Sequence, residues 1–194
     1  MGIGLTVHRK WWDTRARMKL AQIVSGGQTG VDQGALDACI WIDFPYGGWI
    51  PKGRKTEAGT LPPDYKMMVE HTSSEYLPRT EANVVDSDAT LILTHGKPTG
   101  GSKKTIEFAK KHGRPCLHLD MSKPMEAEIR RAVAWLKYDC PDGCTLNVAG
   151  SRESKWPGIQ KETMLWVLEI LGKDKGTVFY PPPMEKRDNV IREG

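Results

Sequence analysis

The residues best suited to chemistry in this chain lie in one short segment that passes from apolar to glycine-rich to helical. An apolar run, residues 20–24, is followed by Gly26, Gly27 and Gly30. Glycine has no Cβ, so its main-chain amide can approach an anion closely, and the N-terminus of a helix attracts negative charge. The segment therefore predicts a phosphate-binding turn, to which four polar side chains add hydrogen-bonding groups: Ser25, Gln28, Thr29 and Asp32.

The spacing of these glycines matches neither the Gly-x-Gly-x-x-Gly dinucleotide pattern nor the Walker pattern with its Lys-Ser/Thr pair. The alternative interpretation is a tight strand-to-helix turn that binds no ligand. Asp32 has several interpretations as well. It complements the helix dipole, holds hydroxyl groups of the loop, or binds an amine or ribose hydroxyl of a ligand.

Two further loops carry similar residues. The first has Gly100, Gly101 and Ser102 before a predicted helix whose first turn holds Lys103, Lys104 and Thr105. Lysines at a helix N-terminus are electrostatically unfavourable unless an anion lies there, although solvated surface is the alternative. The second loop ends a predicted strand with Asn147, Gly150 and Arg152. Its arginine either binds a phosphate through two hydrogen bonds or caps a neighbouring group.

Other cations are placed where they can reach the same region. Lys52, Arg54 and Arg79 follow predicted strands or begin a predicted helix, and solvent exposure is the alternative for each of them. The sequence shows no cluster of metal ligands and no nucleophile motif. We therefore predict no metal site, and mechanisms that need a metal or a nucleophile are disfavoured.

These residues depend on an alternation of strands and helices along the chain. The hydrophobic pattern predicts strands at residues 20–24, from Tyr46, and at residues 67–69, 89–94, 115–119 and 145–149. It predicts helices from Val31, over residues 79–85 with Thr80 as N-cap, and over residues 103–111, 126–138 and 159–171. Such alternation predicts an α/β fold with a mainly parallel sheet covered by helices on both faces. The loops after the strands then meet at one edge of the sheet.

Composition and charge narrow the class of protein. The 194 residues are 27% charged and 39% hydrophobic, and no apolar stretch is long enough to cross a bilayer. The net charge of +4 suits an anionic small ligand but is too weak and dispersed for a dedicated nucleic-acid protein. Four cysteines are too few and too scattered for a disulfide framework, which favours a cytoplasmic protein. We expect no membrane partner.

The chain divides into three predicted parts. Residues 1–18 form an N-terminal extension, residues 19–172 one ligand-binding domain, and residues 173–194 an extended tail with Pro181, Pro182 and Pro183. The tail is expected either to cover a neighbouring subunit or to stay mobile.

Several of these motifs occur together and in order between residues 19 and 172. They are residues 25–32, 47–54, Arg79-Thr80 with Asn83-Val84, residues 86–88, Gly100 to Ser102 with Thr105, residues 147–150 with Arg152, and residues 157–159. In this combination the chain resembles the molybdenum cofactor carrier family. That family belongs to the SLOG superfamily, with the lonely-guy phosphoribohydrolases, once named lysine decarboxylases, and the DNA-processing protein DprA. One departure is Ile50, where the family pattern leads us to expect a cysteine before the proline.

The resemblance implies a Rossmann-like, doubly wound three-layer sandwich that forms homo-oligomers, either dimers or tetramers. It implies that the protein holds the phosphorylated molybdenum cofactor (molybdopterin), shields it from oxidation and passes it to molybdoenzymes. The residues assigned to this ligand are Ser25, Gly26, Gly27, Gln28, Thr29, Gly30, Asp32, Lys52, Arg54, Arg79, Gly100, Gly101, Ser102, Thr105, Asn147, Gly150 and Arg152.

Two alternatives remain open. The first is a lonely-guy type nucleoside monophosphate phosphoribohydrolase, in which Glu107 and Arg79 would cleave an N-glycosidic bond. Lys103 and Lys104 replace a glycine and a threonine of that family's catalytic loop, which disfavours this alternative. The second is a nucleotide-ligand sensor or DNA-associated module, which lacks the usual patch of aromatic and basic residues.

Overall fold

The computed structural model describes residues 20–172, so the predicted N-terminal extension and C-terminal tail lie outside the described residues. Within this range the strands are β1 (Leu20–Val24), β2 (Tyr46–Ile50), β3 (Lys55–Thr56), β4 (Gly59–Thr60), β5 (Met68–Glu70), β6 (Ala89–Thr94), β7 (Cys116–Asp120) and β8 (Cys144–Gly150). The helices are α1 (Val31–Trp41), α2 (Tyr76–Val85), α3 (Gly100–Lys111), α4 (Met125–Asp139) and α5 (Ile159–Ile170).

Six of these strands form one parallel sheet in the order β5-β2-β1-β8-β6-β7. The last strand, β8, therefore lies in the middle, where Asn147 is in register with Val24 of β1 and Thr90 of β6. Helices α1, α4 and α5 pack together, and α2 packs on α3. Because parallel crossovers are right-handed, these two groups cover opposite faces of the sheet. The predicted α/β Rossmann-like, three-layer fold is confirmed.

The main core lies between the sheet and the α1, α4 and α5 layer. Strand β6, which pairs with β8 and β7, is buried at every position, as expected for a strand covered on both faces. A smaller cluster, formed by Leu36, Ile50, Leu61, Tyr65 and Met68, lies beside the antiparallel hairpin β3–β4. That hairpin was not predicted from the sequence.

Two helix starts differ from the prediction. Helix α2 begins at Tyr76, so Thr80 is not its N-cap, and the Thr80 hydroxyl donates to the carbonyl of Tyr76 at 2.8 Å. Pro78 fits this earlier start because a first-turn residue needs no amide hydrogen. Helix α3 begins at Gly100, which puts Gly100, Gly101 and Ser102 in its first turn, where the lysines were expected.

Cys140 and Cys144 form a disulfide across the turn between α4 and β8. No group of metal-ligating side chains occurs within residues 20–172. No helix in that range combines the length and apolar character needed to cross a membrane.

Candidate functional site

A cleft opens at the carboxyl edge of the parallel sheet, above the end of β8. There the chain leaves β1 towards one side of the sheet and β6 towards the other, which is the position where open α/β sheets bind ligands. Its volume of about 700 Å³ is large enough for a nucleotide-sized molecule. The cleft is lined by Gln28, Asp32, Glu75, Tyr76, Leu77, Pro78, Arg79, Thr80, Gly100, Gly101, Ser102, Lys104, Thr105, Ala149, Gly150 and Arg152.

The space beside the glycines of the first loop is filled by other residues of the protein and not left open for a ligand. A Cβ on Gly26 would overlap the guanidinium of Arg79, and one on Gly27 would lie 2.8 Å from the Cγ2 atom of Ile50. Gly30 has a φ of 85°, and a Cβ there would lie 2.5 Å from the carbonyl oxygen of Ser151. None of these three glycines lines the cleft. Close packing within the protein therefore explains why these three positions have no side chain.

Two hydroxyls of this loop also bind within the protein. The hydroxyl of Ser25 donates to the carbonyl of Val148 at 2.6 Å, and that of Thr29 donates to the carboxylate of Glu57. Gln28 behaves differently, because only its carbonyl oxygen is occupied. That oxygen accepts hydrogen bonds from the amides of Thr29 (3.0 Å) and Glu57 (2.9 Å), whereas the buried Nε2 has no partner among the described residues.

Asp32 and Arg79 form a buried ion pair on the floor of the cleft. Arg79 Nη1 lies 3.3 Å from Asp32 Oδ2, and that oxygen also accepts the amide of Gln28 at 3.3 Å. Burial raises the pKa of Asp32 above its ordinary value, although the charge and hydrogen bond of Arg79 act in the opposite direction. The Nε atom of Arg79 is buried and has no partner among residues 20–172.

The start of α3 forms the open side of the cleft. A Cβ on Gly100 or Gly101 would meet no atom within 4 Å, in contrast to the glycines of the first loop. The N-cap residue Thr99 makes no side-chain capping hydrogen bond, so the first amides of α3 are not capped by it. Ser102 and Thr105 are buried below this turn, and the Thr105 hydroxyl donates to the carbonyl of Gly101 at 3.0 Å. This is the surface on which an anion could approach the backbone most closely.

The third loop contributes the end of β8 and a charged rim. A Cβ on Gly150 would overlap the carbonyl oxygen of Leu93, so that glycine lets β8 and β6 pack closely. The guanidinium of Arg152 lies 4.9 Å from the centre of the Tyr76 ring and 3.8 Å from the Glu57 carboxylate. Arg152 therefore stands at the mouth of the cleft, where its side chain is 45% exposed.

Besides five residues of the first loop (Ser25, Gly26, Gly27, Thr29 and Gly30), four more predicted residues lie outside the cleft lining. Asn147 is buried in the sheet, where its side-chain amide donates to the hydroxyl of Thr90 at 3.3 Å. Lys52 is exposed, and the guanidinium of Arg54 donates to backbone carbonyls of its own loop. Glu107, the carboxylate considered for glycosidic cleavage, is an exposed partner of Lys104 at 2.7 Å, and that hydrogen bond lowers its pKa.

The sequence interpretation did not select seven of the residues that line the cleft, Tyr76 among them, nor did it select Glu57, which lies outside the lining. Glu57 ties the β3–β4 hairpin to the loop after β8. Glu57 accepts the amide (3.0 Å) and the hydroxyl (2.6 Å) of Ser154. Burial acts to raise the pKa of Glu57, but the hydrogen bonds from Ser154 and Thr29 outweigh it, so the pKa lies below its ordinary value. Glu57 lies between two short polar segments, so no hydrophobic periodicity in the sequence indicated its role.

Comparisons with known proteins agree with this geometry. The sequence profile of the circularly permutated YpsA SLOG family matches residues 23–171. A crystal structure from Syntrophus aciditrophicus SB, determined at 1.45 Å and titled "Putative molybdenum carrier protein", is 43% identical in sequence with a TM-score of 0.74. The match covers 79% of this chain and 95% of that one. No curated protein matches the chain.

Proposed function

The chain belongs to the circularly permutated YpsA SLOG family, and we propose that it binds a phosphorylated small molecule in the cleft above β8. The molecule that we propose is the molybdenum cofactor, held as cargo and delivered unchanged. The similar protein from Syntrophus aciditrophicus SB carries the name of a molybdenum carrier, which supports this identity of the cargo. The expected recipients are molybdoenzymes in the cytoplasm, and we expect the carrier to be a homo-oligomer.

The observation that carries this proposal is the open first turn of α3. Gly100 and Gly101 leave the backbone accessible from the cleft, and Thr99 does not cap the amides. A helix N-terminus of this kind binds a phosphate through its amides and its dipole. Ser102 adds a hydroxyl at the same position, and Lys104 and Arg152 add positive charge around the cleft. We assign the phosphate to this turn.

The remaining cleft residues have supporting roles in the proposal. Gln28, Asp32 and Arg79 form the floor, and the other predicted residues of the first loop, together with Gly150, hold that floor in position. Asn147 and Arg54 stabilise the fold around the site, whereas Lys52 is exposed.

Glycosidic cleavage through Glu107, the carboxylate that the resemblance to the phosphoribohydrolases assigns to it, is not favoured by this arrangement. That reaction needs a carboxylate next to the ribose of the substrate. Glu107 lies outside the cleft lining and binds Lys104 on the surface of α3. Release of free base from nucleoside monophosphates by the purified protein would revive the hydrolase alternative.

The test compares the cargo of the protein with that of a Gly101→Asp variant. The full chain is expressed in cells that make the cofactor and is purified without oxygen. Molybdenum is then measured by mass spectrometry and pterin by the fluorescence of its oxidation products. An aspartate at this position has space in the open cleft and is favourable at a helix N-terminus, but it repels a phosphate. We expect at least a tenfold loss of both molybdenum and pterin.

The matched control is Ala127→Asp, which adds the same charge to the first turn of α4, at an exposed position outside the cleft lining. This variant is expected to carry as much cofactor as the original protein. The proposal is wrong if the original protein is empty and also fails to take up added cofactor, or if the two variants lose it equally.

A further inference from the structure

The floor of the cleft contains two buried hydrogen-bond donors without acceptors. Gln28 is 4% exposed and Arg79 is 7% exposed, and both line the cleft. The orientation of the Gln28 amide is fixed, because its oxygen already accepts two backbone amides. Its Nε2 and the Nε of Arg79 are therefore donors that no described residue satisfies. Buried donors without an acceptor are rare unless a ligand or a water molecule accepts their hydrogen bonds.

The charges on this floor do not favour a phosphate. Arg79 is already paired with Asp32, so the floor carries one positive and one negative charge. A phosphate placed against Arg79 would also lie near the Asp32 carboxylate, and like charges in a buried site repel strongly. The open turn of α3 has no carboxylate of this kind in its first turn. The α3 turn therefore suits the anionic part of a ligand, and the floor suits a neutral part.

Asp32 supplies the complementary acceptor on the floor. Its Oδ2 binds Arg79 and the amide of Gln28, while its Oδ1 makes no hydrogen bond to a side chain or amide in residues 20–172. The donors of Gln28 and Arg79 and the acceptor of Asp32 together match a ligand group that has a hydrogen-bond acceptor next to an N–H donor. The –C(=O)–NH– edge of a pyrimidinone ring has this arrangement.

We propose that the ligand lies with its phosphate on the first turn of α3 and a pyrimidinone edge on the floor, its carbonyl facing Gln28 and Arg79 and its N–H facing Asp32. This rests on the proposed phosphate site and makes Gln28 a specificity-determining residue. A ring with an amino group in place of the carbonyl would bring a donor against the donors of Gln28 and Arg79. Sites built for one hydrogen-bonding pattern reject the opposite pattern strongly.

The test uses nucleoside monophosphates as probes of defined hydrogen-bonding pattern. Guanosine monophosphate has the pyrimidinone edge, adenosine monophosphate has the same phosphate without it, and pyrophosphate has neither base nor ribose. Binding of each probe to the full chain is measured by isothermal titration calorimetry. We expect guanosine monophosphate to bind at least tenfold more tightly than adenosine monophosphate.

The decisive variant is Gln28→Glu, which keeps an oxygen for the amides of Thr29 and Glu57 but replaces the Nε2 donor with an acceptor. It is expected to abolish the tenfold preference, and the ratio of the two nucleotide affinities is the readout, because the added carboxylate also weakens the binding of pyrophosphate and of both nucleotides. Gln22→Glu makes the same change on β1 outside the cleft lining and should keep the preference. Thermal unfolding of each variant confirms that it is folded.

The possible outcomes separate this inference from the proposed function. Equal binding of the two nucleotides to the original protein, or a tenfold preference that persists in folded Gln28→Glu, overturns the pyrimidinone assignment and leaves the phosphate site intact. Failure of all three probes to bind the original protein contradicts the phosphate site itself, and the inference fails with it.

Discussion

At the scale of single residues, the pair Asp32–Arg79 is the main electrostatic feature of the site. Both side chains are less than 10% exposed, and they join the first turn of α1 to the first half of α2. A buried ion pair contributes little net stability, but removal of one partner leaves the other charge buried and unpaired. The pair therefore fixes the position of α2 relative to α1.

Replacing Arg79 by methionine should destabilise the fold by about 3–5 kcal/mol at neutral pH, because the Asp32 carboxylate is left buried without its ion-pair partner. The pKa of Asp32 is already raised by burial, and loss of Arg79 raises it further. A carboxyl whose pKa is raised in the folded state stabilises the protein fully below its unfolded pKa, and this stability is lost as the pH rises through its folded pKa. The deficit of Arg79→Met should therefore shrink as the pH is lowered towards 4.

Urea unfolding of both proteins between pH 4 and pH 8 measures this difference. The control is Arg130→Met, which removes one side of the exposed pair with Glu126 and should cost at most about 1 kcal/mol at every pH. A deficit of Arg79→Met that does not change with pH would show that Asp32 is not its cause.

The glycines show what residue types alone could predict. Their presence after β1 correctly indicated an unusual backbone, but glycine is equally suited to a ligand and to a neighbouring side chain. The guanidinium that fills the space above Gly26 comes from residue 79, and nothing in the local sequence indicates that contact. In contrast, Gly100 and Gly101 are open, as a ligand-binding turn requires.

At the scale of elements, the hairpin β3–β4 is the part of the site that hydrophobic periodicity could not predict. Its strands have two residues each, too few for an alternating pattern. The hairpin is held by Glu57, which binds Thr29 of the first loop and Ser154 of the loop after β8. The longer helices were predicted because their apolar periodicity extends over several turns. The longer strands were predicted because they are continuous apolar runs.

Replacing Glu57 by alanine should loosen this hairpin. The donors of Ser154 and Thr29 lose their acceptor, and we expect a loss of about 1–3 kcal/mol in unfolding free energy. Because the pKa of Glu57 is lowered in the folded protein, its contribution is present above the unfolded pKa and is lost as the pH falls through the folded pKa. The difference between the two proteins should therefore disappear in acid.

Hydrogen exchange by mass spectrometry at pH 7, with urea unfolding from pH 3 to pH 7, tests this expectation. Exchange should become faster in residues 51–62 and remain unchanged in β6. Glu126→Ala, at an exposed ion pair on α4, serves as the control and should alter neither measurement. Protection of residues 51–62 equal to that of the original protein would contradict the role assigned to Glu57.

At the scale of the whole molecule, parallel topology explains why distant loops form one site. Strands β1, β6 and β8 are adjacent in the sheet although they are far apart in sequence, so the loops that follow them meet at the carboxyl edge. The sequence predicted this convergence from the alternation of strands and helices. It did not place β8 between β1 and β6, because strand order depends on long-range packing that no local pattern encodes.

The same topology predicts that residues 19–172 fold without the rest of the chain. The part of the chain that the structure describes, residues 20–172, contains a six-stranded parallel sheet and two hydrophobic clusters. A fragment of this length is typical of an independently folding domain. Its thermal unfolding should be cooperative, with a midpoint within about 4 °C of the full chain, which corresponds to at most about 1 kcal/mol at this size. Differential scanning calorimetry of both proteins makes the comparison, and the fragment should bind pyrophosphate as the full chain does. A midpoint lower by more than about 10 °C would show that the terminal segments contribute to the fold, and the predicted domain boundaries would then be wrong.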